Sequence, residues 1–308
     1  MTKVFIDGSA GTTGLRIHER LSARDDIELI ILPDELRKDL SERKDALSVA
    51  DVAFLCLPDA AAKEAVELAA KSSVAIIDTS TAHRTDDRFV YGFPEIGDRR
   101  KAVASAKRIA NPGCHASGFV ALVAPLVEAG MLKKDACLSA FSLTGYSGGG
   151  KKMIAEYEDE NRPALVSAPR QYALPQSHKH LPEMVKVCGI ENAPAFCPIV
   201  APFYSGMEVT VPVFAKDLTA GIDDIKAFYT DYYKNGLVHF NDSATEDGFM
   251  SASAFSGRDD MEISVHGNAD RILLVSRFDN LGKGASGAAI QNMNILLGAP
   301  EDKGLVTK

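Results

Sequence analysis

The sequence predicts an α/β chain in two parts: a parallel sheet with helices on both faces, then an α+β region with a mainly antiparallel mixed sheet. Three observations carry this. Short apolar runs alternate with helix-like segments through the first third. Longer strand candidates follow after about residue 135. The 308-residue length suggests two domains on a soft prior of roughly 150 residues each.

Val4-Phe5-Ile6 reads as a short buried strand, followed by a glycine-rich turn and a helix over about 13–22. Ile27 to Leu32 and Val52 to Leu57 are the next two strands. Pro58-Asp59 then opens an alanine-rich helix running to about Lys71, with Asp59 as its expected N-cap. Val74 to Ile77 is a fourth strand. Strands alternating with helices imply βαβ units and a parallel sheet. Ile109 ends a further strand-like run, and a helix is expected from about His115 to Ala129. Its residues Phe119, Leu122, Val123, Leu126 and Val127 recur at amphipathic spacing, and Pro125 should kink it. Strand candidates follow at Ala136 to Leu143, Ala195 to Pro202, Met207 to Phe214 and Ile272 to Phe278. Gly284 to Leu297 is again helical. No repeat, linker or low-complexity segment interrupts the chain.

The formal net charge is −8 and no Lys/Arg block stands out, which argues against nucleic acid as the main partner. No apolar run approaches the ~18 residues that span a bilayer. The N-terminus runs straight into strand-like sequence without a signal h-region. Cys56, Cys114, Cys137, Cys188 and Cys197 are odd in number and contain no CxxC pair, so neither a disulfide framework nor a zinc site is expected. A reducing, cytoplasmic setting fits this usage.

Gly8-Ser9-Ala10-Gly11-Thr12-Thr13-Gly14 lies between the first strand and the first helix. Glycines there let a phosphate approach the backbone, and the helix start offers N–H groups and a positive dipole end. The spacing is GxxGxxG rather than GxGxxG, so the context carries more weight than the pattern. After the second strand, Asp34 or Glu35 suits an NAD ribose hydroxyl, and Arg37 or Lys38 suits an NADP phosphate. The residues alone leave that choice open.

Ile109-Ala-Asn-Pro-Gly-Cys114 places a cysteine at the mouth of a helix. A helix N-terminus favours a thiolate, and its N–H groups can serve an oxyanion. A buried, inert cysteine is the competing reading. A base would decide it. Gln176-Ser177-His178-Lys179-His180-Leu181-Pro182-Glu183 supplies two histidines, and His180 and Glu183 would share a helical face, so that the carboxylate orients the ring. With no third ligand nearby, this pair is read as an acid/base rather than a metal site. His115 adjoins Cys114 but points elsewhere on a helix. Asp78 to Arg84 follows the fourth strand, where ligands gather in such sheets. Thr144 to Lys151 joins small residues to a cation, as an anion cradle or a flexible turn would. Asn280 to Gly287 opens the last helix.

Together these segments resemble the N-acetyl-γ-glutamyl-phosphate reductases, in their shorter form. The carriers are GSAGTTG, DTSTAHR, YGFPEI, ANPGC, TGYSGGGK, SHKHLPE and DNLGKGASGAAIQNMN, spread over essentially the whole chain. The resemblance implies a Rossmann-like NADP-binding domain over 1–113 plus 280–308. It implies a catalytic, substrate and oligomerisation domain over 114–279, in the architecture of aspartate-semialdehyde and glyceraldehyde-phosphate dehydrogenases. It implies an NADPH-dependent acyl-phosphate reductase of arginine biosynthesis, working through a Cys114 thioester as a homodimer or homotetramer. Another acyl phosphate, as in aspartate-semialdehyde dehydrogenase, is the alternative substrate. By position, Cys114 is the implied nucleophile and His178 or His180 the acid/base. Gly8 to Gly14, Arg37, Asn280 and Gly284 are the implied cofactor residues. Asn111, Arg84, Ser147, Lys151 and Glu183 are the implied substrate contacts, and no metal is implied. One departure stands out. The longer family form has an arginine-glycine pair where this chain has Phe203-Tyr204-Ser205-Gly206-Met207.

Overall fold

Alternation of side chains along β1 (Thr2–Asp7) sets up two cores at once. Val4 and Ile6 face one cluster with Ile17, Leu21, Phe54 and Ile77, while Phe5 faces another with Leu47, Ala53, Leu55 and Ala65. A strand buried on both faces needs helices on both sides, and the chain supplies them. A computed structural model describes residues 1–307. After β1 come α1 (Thr12–Ser22), β2 (Ile27–Ile30), α2 (Leu40–Val49), β3 (Val52–Leu55), α3 (Asp59–Leu68), β4 (Ala75–Asp78), β5 (Val90–Tyr91), α4 (Arg99–Ser105) and β6 (Arg108–Ala110). The strands form one parallel six-stranded sheet in the order β2-β1-β3-β4-β6-β5.

Two local expectations are corrected here. Asp59 is the first helical residue of α3, and Pro58 is its N-cap. The Asp59 carboxylate instead accepts from the Thr81 N–H at 3.0 Å and the Thr81 hydroxyl at 2.5 Å, so it ties down the loop after β4. Helix α2 was not expected, because LSERKDALSV carries no apolar period. It is started by Asp39, whose side chain accepts from the N–H groups of Ser41 and Glu42. It is then anchored by Arg43, buried against Asp7 at 2.9 Å.

The second sheet is built from β7 (Ser139–Gly145), β8 (Arg170–Gln171), β9 (Ala195–Ala201), β10 (Met207–Phe214), β11 (Val238–Phe240), β12 (Met261–Gly267) and β13 (Arg271–Phe278). Its order is β11-β12-β13-β10-β7-β9-β8, antiparallel except for the β11/β12 and β7/β9 pairs. Strand β12 escaped sequence reading because Glu262 and Ser264 sit buried in it. Arg277 on β13 pairs with Glu262 at 2.7 Å and so makes the charge tolerable there. The accompanying helices are α5 (Cys114–Glu128), α6 (Gly150–Glu158), α7 (Leu181–Cys188) and α8 (Ile222–Tyr232). A π-helical turn over Gly282–Ser286 leads into α9 (Gly287–Leu296).

The chain divides into two compact units. One holds Met1–Pro94, Asp98–Pro112 and Ala285–Leu305; the other holds Glu95–Gly97, Gly113–Gly284 and the residues from Val306. Ile290 and Met293 of α9 belong to the core of the first unit. Among the described residues no helix is long and apolar enough to cross a membrane.

Helix α5 is not amphipathic as its spacing suggested. Every residue from His115 to Val127 is buried. On the sheet side, Gly118 removes the one Cβ that would lie 2.5 Å from Val209. On another side α7 packs along it. Pro125 does not end the helix, although it cannot donate to the Ala121 carbonyl one turn earlier. The Tyr233 hydroxyl donates to that carbonyl at 2.7 Å, and the Tyr229 hydroxyl donates to the Leu122 carbonyl. The opposite face of the second sheet exposes Phe141, Phe214 and Leu273 at 44%, 55% and 40%, among polar neighbours that include Glu208, Thr210 and Arg271.

Candidate active site

In the first unit, β1 ends at Asp7 and the glycine turn begins. Gly8 has φ +90°, and a Cβ on it would lie 2.3 Å from the Cys56 carbonyl oxygen. A Cβ on Gly14 would lie 2.5 Å from the Gly8 carbonyl oxygen. Gly11 is the N-cap of α1, and no side chain caps that helix. Ser9, Ala10, Thr12 and Thr13 complete a turn whose backbone is uncovered at a helix start, which suits an anionic phosphate. Asp7 beneath it is buried, and burial raises its pKa despite the Arg43 guanidinium. Arg37 is half-buried beside exposed Asp34 at 3.2 Å. The Cys56 thiol is pushed up to about 12 by burial.

Arg84 and Asn111 also lie in the first unit. Arg84 donates to the Asn111 and Thr79 carbonyls, both at 3.0 Å. The Asn111 amide donates to the Ala285 carbonyl at 3.0 Å and accepts from Asn292 at 3.3 Å. Arg84 thus joins the ends of β4 and β6, and the Asn111 side chain ties the end of β6 to the start of α9.

In the second unit, Gly113 is the N-cap of α5, extended at φ −78°, ψ 146°, and Cys114 is the first helical residue. The N–H groups of that first turn point beyond the helix. Cys114 is partly exposed, while all its helical neighbours to Val127 are buried. Its Cβ would be 3.0 Å from a Cβ placed on Gly284, so the π-helical turn packs directly against it. That turn is fixed by Lys283, whose ammonium donates to Glu95 at 2.7 Å with both side chains 1% exposed.

Helix α7 starts beside α5. His180 is its N-cap, and Glu183 in its first turn accepts from the Gly113 N–H at 2.8 Å. This bond holds the cysteine turn. His178 and His180 meet edge to face at 4.8 Å, and the His180 N–H donates to His178 Nδ1 at 3.3 Å. Burial, reinforced by Lys179, lowers the His178 pKa. His115, Tyr172 and Phe196 complete the ring cluster, with His115 at 5.5 Å from His180. Burial raises the pKa of the Tyr172 hydroxyl, and the nearby Cys114 raises it further.

The glycine loop after β7 forms a 3-10 turn over Tyr146–Gly149 that runs into α6. Asn280 organises it: its amide donates to Ser147 Oγ at 3.0 Å, and its oxygen accepts from the Gly206 N–H at 2.9 Å. The departing segment Phe203–Gly206 supports the same loop, since the Tyr146 and Ser147 N–H groups donate to the Phe203 and Tyr204 carbonyls. Lys151 stands exposed in the first turn of α6, where a cation opposes the helix dipole unless an anion joins it.

Sequence reading missed Tyr172, Ser142, Phe196 and the Lys283–Glu95 pair. Their partners lie tens of residues away, and no spacing announces them. The local signal for Tyr172 was its position six residues before His178.

Residues 33–106 match the family model described as semialdehyde dehydrogenase, NAD binding domain, and residues 114–280 match semialdehyde dehydrogenase, dimerisation domain. The chain is 43% identical to an N-acetyl-gamma-glutamyl-phosphate reductase 2 of Nostoc sp., over 98% of this chain and 99% of that one. It is 44% identical to an N-acetyl-gamma-glutamyl-phosphate reductase of Brucella ovis, over 96% of this chain and 99% of that one. In fold it resembles aspartate semialdehyde dehydrogenase II of Vibrio cholerae, with TM-score 0.74 at 17% identity, covering 96% of this chain and 98% of that one.

Proposed function

The chain belongs to the N-acetyl-gamma-glutamyl-phosphate reductase family, and from that premise we propose how its residues carry out the reaction. It is an oxidoreductase of arginine biosynthesis with an NAD(P)-binding domain and a dimerisation domain. The substrate is N-acetyl-γ-glutamyl phosphate, and the products are the semialdehyde and inorganic phosphate.

The observation that carries the assignment is the Glu183–Gly113 bond. It holds the N-terminus of α7, capped by His180, against the N-terminus of α5, which begins at Cys114. His180 takes the thiol proton, and the Cys114 thiolate attacks the acyl-phosphate carbon. The S–C bond forms, the C–O bond to phosphate breaks, and phosphate leaves. The first-turn N–H groups of α5 stabilise the oxyanion of that step. The hydride that converts the thioester to a thiohemiacetal is the chemistry a bound nicotinamide cofactor supplies. His180 gives its proton to the new oxygen and takes it back as the thiohemiacetal collapses to aldehyde and thiolate. His178, whose Nδ1 accepts a backbone N–H, keeps its ring proton on Nε2 and supports the site.

The glycine turn fits a pyrophosphate, because Gly8 and Gly14 let it close tightly on the Cys56 and Gly8 carbonyls while the N-cap Gly11 leaves the helix start exposed and without a side-chain cap. Gly8, Ser9, Ala10, Gly11, Thr12, Thr13 and Gly14 would hold it, and Arg37 would pair with an NADP 2′-phosphate. Asn280 and Gly284 would border the nicotinamide. Ser147 and Lys151 would receive the leaving phosphate, with Arg84 and Asn111 shaping the substrate side. Two copies would meet through the open face bearing Phe141, Phe214 and Leu273.

The test is the reverse, phosphate-dependent assay with N-acetylglutamate semialdehyde and with aspartate semialdehyde, each with NADP⁺ and NAD⁺. Turnover with the first aldehyde and NADP⁺ is expected. Preference for aspartate semialdehyde would replace the substrate, and retention of wild-type turnover by Cys114→Ser would remove the nucleophile.

A further inference from the structure

Three members of the ring cluster, His115, Tyr172 and Phe196, have no part in the reaction above. His115 is 3% exposed, and both its ring nitrogens are engaged: Nδ1 lies 2.7 Å from Ser142 Oγ, and Nε2 lies 2.7 Å from the Tyr172 hydroxyl. The titratable groups around it are Cys114, its neighbour in sequence, with Tyr172, His178, Lys179 and His180. Burial first, then His178 and Lys179, hold its pKa at about 3, so the ring is neutral wherever the enzyme works.

Tyr172 begins the segment that carries His178 and His180. That segment is irregular: Ala173 and Gln176 adopt left-handed backbone with φ 53° and 56°, which side-chain-bearing residues avoid. Such a segment needs outside support, and three ties supply it. Gln176 accepts from the Phe196 N–H at 2.8 Å and donates to the Phe196 carbonyl at 2.7 Å. The Tyr172 N–H donates to the Pro198 carbonyl at 3.1 Å. His115 holds the Tyr172 ring by its hydroxyl. Ser142, fully buried on β7, fixes the far side of His115 to the sheet.

We infer that His115 is a positioning residue: anchored on Ser142, it clamps Tyr172 and thereby sets the 172–180 segment so that the acid/base histidine faces the Cys114 sulfur. The inference rests on the reductase reading above. It explains why a residue beside the nucleophile is a histidine although it cannot itself exchange a proton near neutral pH.

The test compares His115→Phe, His115→Gln, Tyr172→Phe and the His115→Phe/Tyr172→Phe double variant in the full chain. Readouts are kcat, KM, NADPH affinity by fluorescence, and the rate of Cys114 alkylation by iodoacetamide against pH. Loss of the clamp lowers kcat by roughly ten- to hundredfold while NADPH affinity is unchanged, because a misplacement near 1 Å suffices for such a loss. The midpoint of the alkylation profile rises, because the thiolate loses its imidazolium partner. His115→Gln, long enough to reach Tyr172, recovers part of kcat. The double variant is no worse than the poorer single one. Wild-type kcat in His115→Phe, or losses that multiply in the double variant, would overturn the inference. Should His115→Phe fail to fold, Tyr172→Phe decides alone: a wild-type kcat and alkylation profile overturn it. A wild-type enzyme inactive on the acyl phosphate would sink the reductase reading, yet the alkylation profiles would still decide the clamp.

Discussion

The turn before α1 and the turn before α5 enter their helices alike. Each ends a parallel strand, each places a glycine at the N-cap, and the two glycines share extended angles: φ −75°, ψ 164° at Gly11 and φ −78°, ψ 146° at Gly113. Neither helix is capped by the side chain of its own N-cap residue. What fills the space beyond each helix start differs. At α1 the sequence removes side chains, since Gly8 and Gly14 each sit where a Cβ would strike backbone. At α5 it adds them: a cysteine at the first position, a carboxylate from α7 on the preceding N–H, and a ring cluster behind. One structural device thus serves binding where it is left bare and chemistry where it is furnished.

Substitutions that refill the first turn or strip the second test that contrast. Gly8→Ala has the largest expected effect, because it adds a Cβ 2.3 Å from a carbonyl oxygen at φ +90°. A loss of about 2–4 kcal/mol in denaturant-measured stability, or of NADPH binding outright, is expected. Gly11→Ala is the control: its Cβ meets nothing closer than 3.6 Å, and a cost of about 1 kcal/mol is expected. Equal damage from both would mean that bareness is not what the turn requires. Glu183→Ala comes next. It leaves the Gly113 N–H without its charged acceptor, at about 1.5–3 kcal/mol, and kcat should fall more steeply than KM rises. Glu183→Gln keeps an acceptor and should recover much of it.

A pH titration sharpens the same contrast, because the second turn carries a buried histidine and the first does not. Unfolded, His115 takes a proton near its ordinary value of about 6.5; folded, it does so only near about 3. The unfolded chain therefore binds the extra proton between those values, and this contribution to stability is lost as pH falls from about 6.5 toward about 3. Melting temperature followed over that range should fall with acid, and His115→Gln should flatten the slope. The smallest effect belongs to Arg37→Ala, expected to raise the Kd for NADPH about tenfold and leave that for NADH alone. An equal change in both would show that Arg37 does not read the 2′-phosphate.

How much of this was legible in the sequence follows from the range of the contacts involved. The strand, the glycine turn and α1 are written within 22 consecutive residues, and so is the placing of Cys114 at a helix start. The fate of α5 was half legible. Its apolar spacing announced a buried face, but its burial on every side depends on α7 packed along it and on Tyr233, just past α8, which takes the carbonyl that Pro125 leaves. Helical spacing pointed from Glu183 to His180, and only the folded chain shows that Glu183 reaches the Gly113 N–H. His115 was set aside as a base because it adjoins Cys114 in sequence. Its bonds to Ser142 and Tyr172 span 27 and 57 residues, a distance at which no periodicity speaks.

The most direct test of the central claim, that the furnished helix start makes Cys114 the nucleophile, is to trap the acyl enzyme. The wild-type chain is mixed with N-acetyl-γ-glutamyl phosphate in the absence of nicotinamide cofactor, quenched in acid, and analysed by intact-protein and peptide mass spectrometry. One N-acetylglutamyl group on the peptide bearing Cys114, released by hydroxylamine and missing in Cys114→Ser, is the predicted result. An unmodified Cys114, with phosphate released all the same or the label on another residue, would contradict it.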